Sequence, residues 1–410
     1  MNHYLECIGC GVRHPSTETA YACSSCGDLL EVRYDYDDLR ESVDISLWNS
    51  RPLSVWRYEE LLPLGKSSVK VSLGEGGTGL HQCARLAKTL RRDTLHVKNE
   101  GENPTGSFKD RGMTLGVSKA IELGAERVIC ASTGNTSASL AAYAARAGLA
   151  SIVIVPHGKV ALGKLAQAIV HGARVLQIEG SFDDALKAVL KLAQTKTGLY
   201  LLNSVNPYRL EGQKTLAYEI RDQLGGKVPD TIIVPVGNAG NISAIWKGLQ
   251  DLNQLGLISD LPRMIGIQAE GASPIVEAFR RGVNRIDPVP NPTTVATAIR
   301  IGSPASWKKA LKAVENSRGL METVTDEEIL EAQKLLARLE GIFVEPASAS
   351  SIAGLKKLVE GGLISADENV VCVTTGHGLK DPDIVQSMFE KPITVKSDPN
   401  SLEKALGLDC

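Results

Sequence analysis

The sequence predicts an α/β protein built on open parallel sheets, preceded by a small metal-binding segment. From about residue 69 onward, short runs rich in Val and Ile alternate with helical patterns. This alternation is typical of parallel strands that are buried on both faces and joined by crossover helices. Ahead of it, four of the eight cysteines fall within the first 26 residues. A chain of 410 residues corresponds to two or three domains and can bury a large core.

The composition argues against several kinds of partner. Lys and Arg number 45 against 47 Asp and Glu, which leaves a net charge of -2 and no basic excess for nucleic acid or anionic membranes. Aromatic residues are 4%, too few for a base-stacking surface. No apolar run reaches the roughly 18 residues of a membrane helix, and the N-terminus lacks the apolar core of a secretory signal. We therefore expect a cytoplasmic protein.

The N-terminal cysteines form two C-x-x-C pairs. Cys7 and Cys10 are one pair and Cys23 and Cys26 the other, with glycine directly after each pair. This spacing predicts a zinc ribbon with four thiolate ligands, and the metal would supply the folding energy of a segment too small for a core. Two disulfides, or four reduced thiols without metal, are the alternatives. Acidic residues outnumber basic ones in this segment, which favours a structural role over nucleic-acid binding.

Nine segments that are apolar over most of their length are predicted as strands of the parallel sheets. They are residues 69–73, 94–98, 127–131, 151–155, 175–178, 200–203, 231–236, 264–269 and 369–374. Helical patterns lie between them, for example at residues 182–194 and 326–339. The glycine-rich run G-E-G-G-T-G at residues 74–79 follows the first of these segments and matches the spacing of a dinucleotide fingerprint. Because the pattern is short and glycine is abundant, a chance match is the preferred interpretation.

A lysine follows a turn-forming run at residues 102–112, which read E-N-P-T-G-S-F-K-D-R-G. Ser107 is a plausible helix cap, which places Lys109 in the first turn of a helix. There the helix dipole and the nearby Arg111 would lower its pKa, as Schiff-base chemistry requires. The alternative is a solvated lysine on an amphipathic helix.

Three further loops of small and polar residues follow predicted strands. A-S-T-G-N-T-S at residues 131–137 could bind a carboxylate with hydroxyls and free amides, the alternative being simple helix capping. P-V-G-N-A-G-N at residues 235–241 could hold a phosphate and lacks the Lys-Ser/Thr of a P-loop. In C-V-T-T-G-H-G at residues 372–378, a hydroxyl could meet a ring nitrogen. Together with the lysine segment, these loops should meet in one crevice at the carboxyl ends of the strands.

These four segments together resemble the threonine synthases, a family of fold type II pyridoxal-phosphate enzymes, over nearly the whole chain. The segment N-S-V-N-P-Y-R at residues 203–209 and the closing T-G-H-G-L-K-D-P also resemble that family, and the cysteine-rich head is similar to that of many archaeal-type members. The run at residues 74–80 resembles the family's G-E-G-x-T-P-L, with Gly79 in place of the usual proline. This likeness displaces the dinucleotide interpretation.

The resemblance implies a role for each matching residue. Lys109 would form the Schiff base with the cofactor, Asn135 would bond its 3′-oxygen, and Thr375 would meet its pyridine nitrogen, leaving that nitrogen unprotonated. The cofactor phosphate would be bound by Gly237, Asn238, Ala239, Gly240 and Asn241. The substrate carboxylate would be bound by Ser132, Thr133 and Thr136. The substrate phosphate would be bound by Ser204 and Arg209, since the guanidinium of an arginine can bind two phosphate oxygens at once.

The implied reaction converts O-phosphohomoserine and water to threonine and phosphate, by γ-elimination and β-addition of water. The implied cofactor is pyridoxal 5′-phosphate, with structural zinc in the head and a homodimer as the assembly. Two alternatives belong to the same family: a cysteate synthase, which uses phosphoserine and sulfite, and a serine or threonine dehydratase. A third, from another class, is a zinc-dependent adaptor with an inert enzyme-like body.

The expected fold is the tryptophan synthase β-like architecture of two α/β domains. A zinc ribbon would span residues 1–45, and the large cofactor-binding domain residues 46–102 and 203–391. A small mobile domain would span residues 103–202, and a C-terminal tail residues 392–410.

Overall fold

The computed structural model describes residues 3–157, 162–180, 182–384 and 393–407. Its strands are β1 (His3–Cys7), β2 (Arg13–His14), β3 (Leu30–Tyr34), β4 (Leu80–Gln82), β5 (His96–Asn99), β6 (Arg127–Ala131), β7 (Ala150–Pro156), β8 (Arg174–Ile178), β9 (Leu199–Leu201), β10 (Thr231–Pro235), β11 (Arg263–Ala269), β12 (Leu320–Val324) and β13 (Val370–Thr374).

The α-helices are α1 (Tyr36–Ser42), α2 (Ile45–Ser50), α3 (Ala84–Thr89), α4 (Lys109–Glu122), α5 (Asn135–Ala147), α6 (Leu162–Val170), α7 (Phe182–Thr195), α8 (Pro207–Gln213), α9 (Thr215–Gln223), α10 (Gly240–Gln254), α11 (Pro274–Arg280), α12 (Trp307–Asn316), α13 (Asp326–Glu340), α14 (Pro346–Glu360) and α15 (Pro399–Leu406). Short 3₁₀ helices occur at Val55–Leu61, Glu100–Glu102, Glu270–Ala272, Thr297–Ile299 and Gly378–Lys380.

The strands form three sheets. An antiparallel sheet of order β2-β1-β3 lies at the N-terminus. A six-stranded sheet has the order β12-β11-β10-β13-β5-β4 and is parallel except for β4. A four-stranded parallel sheet has the order β8-β7-β6-β9. These sheets confirm the predicted α/β fold class.

The six-stranded sheet is covered on both faces, which explains why its strands read as continuous apolar runs. Ile232 and Val234 of β10 pack into one hydrophobic cluster, while Ile233 between them packs into another. Successive side chains of a strand point to opposite faces, so most positions of a strand that is covered on both faces are buried and apolar.

Eight of the nine predicted strands overlap observed ones, and the prediction for residues 69–73 is wrong. Val71 lies beside α4, where its N–H donates to Ser118 Oγ (2.9 Å) and its carbonyl accepts from Thr114 Oγ1 (2.6 Å). Side chains of a helix therefore satisfy this backbone in place of a neighbouring strand. Both helical patterns named above are confirmed, as α7 and α13.

Residues 1–380 form one compact unit and residues 381–410 a second. In the second unit α15 begins at Asp398, whose side chain accepts from the Ser401 N–H at 2.9 Å. Residue 392 and residues 408–410 of the predicted tail lie outside the described part of the chain. The four-stranded sheet lies wholly within residues 103–202, and the predicted domain boundaries themselves stay predictions. Among the described residues, no helix is both long and apolar enough to cross a membrane.

Candidate active site

Lys109 is the first residue of α4 and follows a loop that is fixed to the end of β13. The Phe108 N–H donates to the Thr375 carbonyl (3.0 Å), and the His377 N–H donates to the Gly106 carbonyl (2.9 Å). The prediction that Ser107 caps the helix is wrong, because Phe108 occupies the cap position and the buried Ser107 Oγ has no hydrogen-bond partner. The predicted place of the lysine, in the first turn of a helix, is confirmed.

The pKa of Lys109 is lowered to about 7. Removal from water is the main cause and the positive charge of Arg209 is the second, while Glu345 acts in the opposite direction. The predicted direction agrees, but the predicted cause, Arg111, is wrong. The charge of the Arg111 guanidinium is already neutralised by two buried carboxylates, Glu100 and Glu219. A lysine with this pKa can hold or release a proton near neutral pH.

Asn135 and Thr375 meet at one buried carboxylate that sequence reasoning missed. The Asn135 amide donates to both oxygens of Glu345 at 3.1 Å, and the Thr375 hydroxyl donates to Glu345 Oε1 at 3.4 Å. Glu345 is 3% exposed and precedes Pro346 at the start of α14. The available signal was the Glu-Pro pair opening a helix rich in small residues. The two residues predicted to contact the cofactor ring therefore lie side by side.

Ser348 is a second residue that the sequence did not reveal. Its Oγ accepts from the amides of Thr375 (2.9 Å) and Gly376 (2.8 Å), and it lies 3.0 Å from the Thr375 hydroxyl. Ser348 thereby fixes the loop after β13, on which the Thr375 hydroxyl depends for its position.

The loop from Gly237 to Asn241 connects β10 to α10. Ala239 caps the helix in the left-handed conformation (φ 65°) with no side-chain hydrogen bond to the first turn. Asn241 is 6% exposed, and neither atom of its side-chain amide has a hydrogen-bond partner among the described residues. The amides at a helix start attract anions, and a buried amide side chain without partners is costly unless a ligand supplies them. These observations fit a bound phosphate group.

The loop after β6 is not explained by helix capping. The cap residue of α5 is Gly134, which has no side chain to cap the helix. Ser132 Oγ accepts the Gly134 N–H at 3.3 Å, and Ser132, Thr133 and Thr136 are all partly exposed. Hydroxyls and first-turn amides thus remain together at a helix start, as a carboxylate site requires.

The predicted substrate-phosphate residues lie beside this loop. Asn203 joins the two segments, because its amide exchanges hydrogen bonds with the backbone N–H (2.9 Å) and carbonyl (2.8 Å) of Ala131. Ser204 follows in a turn and is partly exposed. Arg209 on α8 is 2% exposed, and its Nε has no hydrogen-bond partner in the described part of the chain. Burial lowers the pKa of Arg209 to about 10. This cation acts on Lys109 and has no neutralising carboxylate among its recorded partners.

The glycine-rich run at residues 74–79 does not have the context of a dinucleotide fingerprint. It follows no strand and leads into β4 instead of a helix. Its Glu75 is fully buried and accepts from the Tyr143 hydroxyl at 2.7 Å. Gly76 and Gly77 both have positive φ (82° and 62°) and pass close to the backbone of residues 53–55. The run is therefore a tightly packed turn.

The four N-terminal cysteines come together at the edge of the antiparallel sheet. Their Sγ atoms all lie within 4.8 Å of one another, with Cys7 and Cys26 at 3.4 Å and Cys10 and Cys23 at 3.6 Å. Thiolates arranged tetrahedrally at about 2.3 Å from a zinc ion are about 3.8 Å apart, whereas a disulfide bond is about 2.05 Å long. Backbone amides also point at two of these sulfurs. The donor set fits a zinc ion.

The chain is similar in sequence to several known proteins. A family model of pyridoxal-phosphate dependent enzymes matches residues 71–376. Threonine synthase of Methanocaldococcus jannaschii is 60% identical over 401 residues, 98% of each chain. That of Methanosarcina acetivorans is 55% identical over 404 residues, again 98% of each. That of Mycobacterium bovis is 53% identical over 351 residues, 86% of this chain and 95% of the other.

Solved structures share the fold at low sequence identity. The processed form of threonine deaminase isoform 2 from Solanum lycopersicum superposes with a TM-score of 0.63, covering 92% of this chain and 94% of that one at 20% identity. Maize serine racemase gives a TM-score of 0.64 at 23% identity, over 76% of this chain and 91% of that one. These likenesses confirm the fold type II architecture.

Proposed function

This chain belongs to the family of pyridoxal-phosphate dependent enzymes and functions as a threonine synthase, a lyase, and from this premise we propose how its own residues carry out the reaction. The proposed substrate is O-phosphohomoserine, and the proposed products are threonine and phosphate. One observation carries the assignment of the substrate: Arg209 is a buried cation with an unpartnered Nε, close enough to Lys109 to lower its pKa.

The proposed cofactor contacts follow from the site. The free groups at the start of α10, with the unpartnered Asn241 amide, suit the cofactor's phosphate. Lys109 would hold the cofactor covalently, Asn135 would donate to its 3′-oxygen, and the neutral Thr375 hydroxyl would face its pyridine nitrogen. When bound, pyridoxal phosphate supplies an electron sink for a carbanion at the substrate α-carbon.

Lys109 is the proposed proton carrier. Its Nζ, with a pKa of about 7, accepts the proton from the α-carbon and returns it later in the reaction. A base is most effective when its pKa lies near the working pH, because it is then available in the neutral form and still basic enough. Burial and the neighbouring cation, Arg209, keep the pKa low, so substrate binding and proton transfer are linked electrostatically.

Two anion sites would orient the substrate. The hydroxyls of Ser132, Thr133 and Thr136 and the first-turn amides of α5 would bind its carboxylate. Ser204 and Arg209 would bind its phosphate, which pairs with the guanidinium through two oxygens at once. Asn203 links the two loops through its bonds to Ala131, which fixes the distance between the two anion sites.

In the head, we propose a structural zinc ion held by Cys7, Cys10, Cys23 and Cys26. The distances between their sulfur atoms support this ligand set. The relatives from M. jannaschii and M. acetivorans align over 98% of this chain and so extend into the head, whereas the M. bovis relative aligns over 86%. This supports the archaeal-type assignment. A homodimer and a cytoplasmic location stay predictions from the sequence.

The proposal is tested by assaying purified enzyme with pyridoxal phosphate and O-phosphohomoserine. We expect phosphate and threonine to appear in equal amounts, and Lys109→Ala to abolish both products together with the visible absorbance of the lysine-bound cofactor. Phosphate released from phosphoserine with sulfite, and none from O-phosphohomoserine, would show a cysteate synthase instead. A ketoacid formed from free threonine as the main product would show a dehydratase.

A further inference from the structure

The N-terminal head contacts the chain on both sides of the proposed phosphate-binding residues. We define the head as residues 3–45, and the anion segment as residues 201–211, which carry Ser204 and Arg209. Three hydrogen bonds connect the head with the anion segment. They are at Leu201, where the segment begins, at Tyr208 in α8, and at Glu211, where the segment ends.

The first contact is at the end of β9, an edge strand of the four-stranded sheet. The Leu201 N–H donates to the hydroxyl of Tyr21 at 2.7 Å. Tyr21 is 2% exposed and lies against Tyr200, with ring centroids 5.9 Å apart. Edge strands leave amides without partners in their own sheet, and here a side chain of the head supplies the partner. Tyr21 therefore fixes the strand end from which the anion segment starts.

The second contact lies within α8 itself. The Tyr208 hydroxyl donates to the Ser16 carbonyl at 3.1 Å, and the Tyr208 ring meets His3 edge-on at 6.3 Å. Both partners belong to the head. Tyr208 is the residue directly before Arg209, so this bond fixes the backbone one residue away from the arginine that is proposed to bind the phosphate.

The third contact is buried and charged. The Tyr34 hydroxyl of β3 donates to Glu211 Oε2 at 2.5 Å. Glu211 is fully buried and pairs with Lys214 (2.7 Å) and with Lys247, which also donates to the Val32 carbonyl of the head. A buried carboxylate depends on every one of its partners, so the head completes the environment that holds Glu211.

Glu211 and Arg209 are two positions apart on α8 and therefore point about 200° apart around the helix. Arg209 faces α4, where a Cβ added to Gly116 would lie 3.3 Å from its Cγ. Glu211 faces the head. α8 has only seven residues, and a helix this short takes its position from what it packs against. A shift on the head side must therefore move the guanidinium on the other side.

We propose that Tyr21 and Tyr34 of the head are positioning residues for the substrate phosphate. They hold the two ends of the anion segment so that Arg209 meets the phosphate of the substrate in a fixed orientation. This inference rests on the proposed function, since it assigns Arg209 to the substrate phosphate. The cysteine-rich head thereby takes part in substrate binding, although it is far from the anion segment in the sequence.

The experiment compares Tyr34→Phe, Tyr21→Phe and the double variant as holoenzymes. Each change removes one hydroxyl and keeps the ring, so the packing is retained. We expect KM for O-phosphohomoserine and the inhibition constant of inorganic phosphate to rise together by about threefold to tenfold for each hydroxyl. The affinity for pyridoxal phosphate should stay unchanged, because the start of α10 is not moved, and kcat should change by a smaller factor than KM.

Tyr58→Phe is the matched control. Tyr58 is fully buried, and its hydroxyl donates at 2.9 Å to Oδ2 of Asp222, which belongs to neither the head nor the anion segment. We expect the control to leave KM and phosphate inhibition unchanged even if it lowers the unfolding temperature. The inference is overturned if all the variants leave KM and phosphate inhibition as in the wild type, or if the control raises them equally. The proposed function fails in a different way, if phosphate does not compete with the substrate in the wild-type enzyme.

Discussion

Arg111 and Arg209 are both buried arginines on helices that pack together, and they differ in what neutralises them. Arg111 donates to Glu100 through Nε (2.6 Å) and Nη2 (2.8 Å), and to Glu219 through Nη1 and Nη2 (2.7 Å each). Lys98 adds a second cation at 2.8 Å from Glu219. Arg209 has no ion pair among the recorded contacts of the described residues, and its Nε has no acceptor.

The difference separates structure from function. A buried ion pair with complete hydrogen bonding is already satisfied and offers nothing to a ligand. A buried cation with free donors is costly to the folded protein and persists where a ligand supplies the missing charge. The same contrast holds for two neutral side chains. The Asn241 amide has no hydrogen-bond partner among the described residues, whereas the Ser348 hydroxyl has several.

The largest effect is expected for Arg111→Met. This change leaves two buried carboxylates facing one lysine, and the free energy of unfolding should fall by about 3–5 kcal/mol, as measured by urea denaturation. The control is Arg40→Met, because the Arg40 side chain is largely exposed, where it pairs with Asp37 and donates to the Gln254 carbonyl, and its loss should cost less than about 1 kcal/mol. A variant at Arg111 as stable as the control would show that the network is not structural.

A smaller loss is expected for Ser348→Ala. The amides of Thr375 and Gly376 lose their acceptor, which should cost about 1–3 kcal/mol of stability. Asn241→Leu provides the contrast, because it removes a group with no partners. It should leave the stability of the cofactor-free protein intact and weaken pyridoxal phosphate binding, measured by absorbance titration. Equal losses of stability in both variants would contradict the comparison.

Arg209→Met should have the opposite sign to Arg111→Met. Replacing a buried charge that lacks a partner by an apolar side chain removes a desolvation cost. We expect the urea midpoint of the cofactor-free protein to stay the same or to rise. A clear fall in this midpoint would mean that Arg209 has a structural partner, and the distinction between the two arginines would be lost.

A further effect concerns the pH dependence of the cofactor-free protein. The pKa of Lys109 is about 7 when folded against 10.5 as its ordinary value, so the unfolded state binds more protons between these limits. Stability should therefore rise with pH across that window. Unfolding of wild type and Lys109→Met at about pH 7 and about pH 9 would isolate this contribution. An equal slope for both proteins would contradict the low pKa.

The sequence was sufficient for features with local signals. The apolar strands are readable because both faces of the sheet are covered, and the polar loops are readable because they follow those strands. Glu345 and Ser348 were missed because they lie near the start of α14, between α13 and β13, and reach the site only through the tertiary fold. Residues 69–73 misled because helix side chains can satisfy an extended backbone as well as a strand does.

Electrostatic roles were the least accessible to sequence reasoning. Arg111, two residues from Lys109, was expected to lower its pKa, yet burial has the largest effect and the charge that adds to it is that of Arg209, a hundred positions away. A side chain's influence depends on whether its charge is already neutralised, which is decided by residues distant in the chain, such as Glu219. The link between the head and the anion segment was hidden for the same reason.

The most direct test of this account measures phosphate inhibition of Arg209→Gln holoenzyme with O-phosphohomoserine as substrate. We predict that both KM and the inhibition constant of inorganic phosphate rise at least about thirtyfold, while the affinity for pyridoxal phosphate is retained. Unchanged phosphate inhibition in a folded, cofactor-loaded Arg209→Gln enzyme would contradict the claim that Arg209 binds the substrate phosphate.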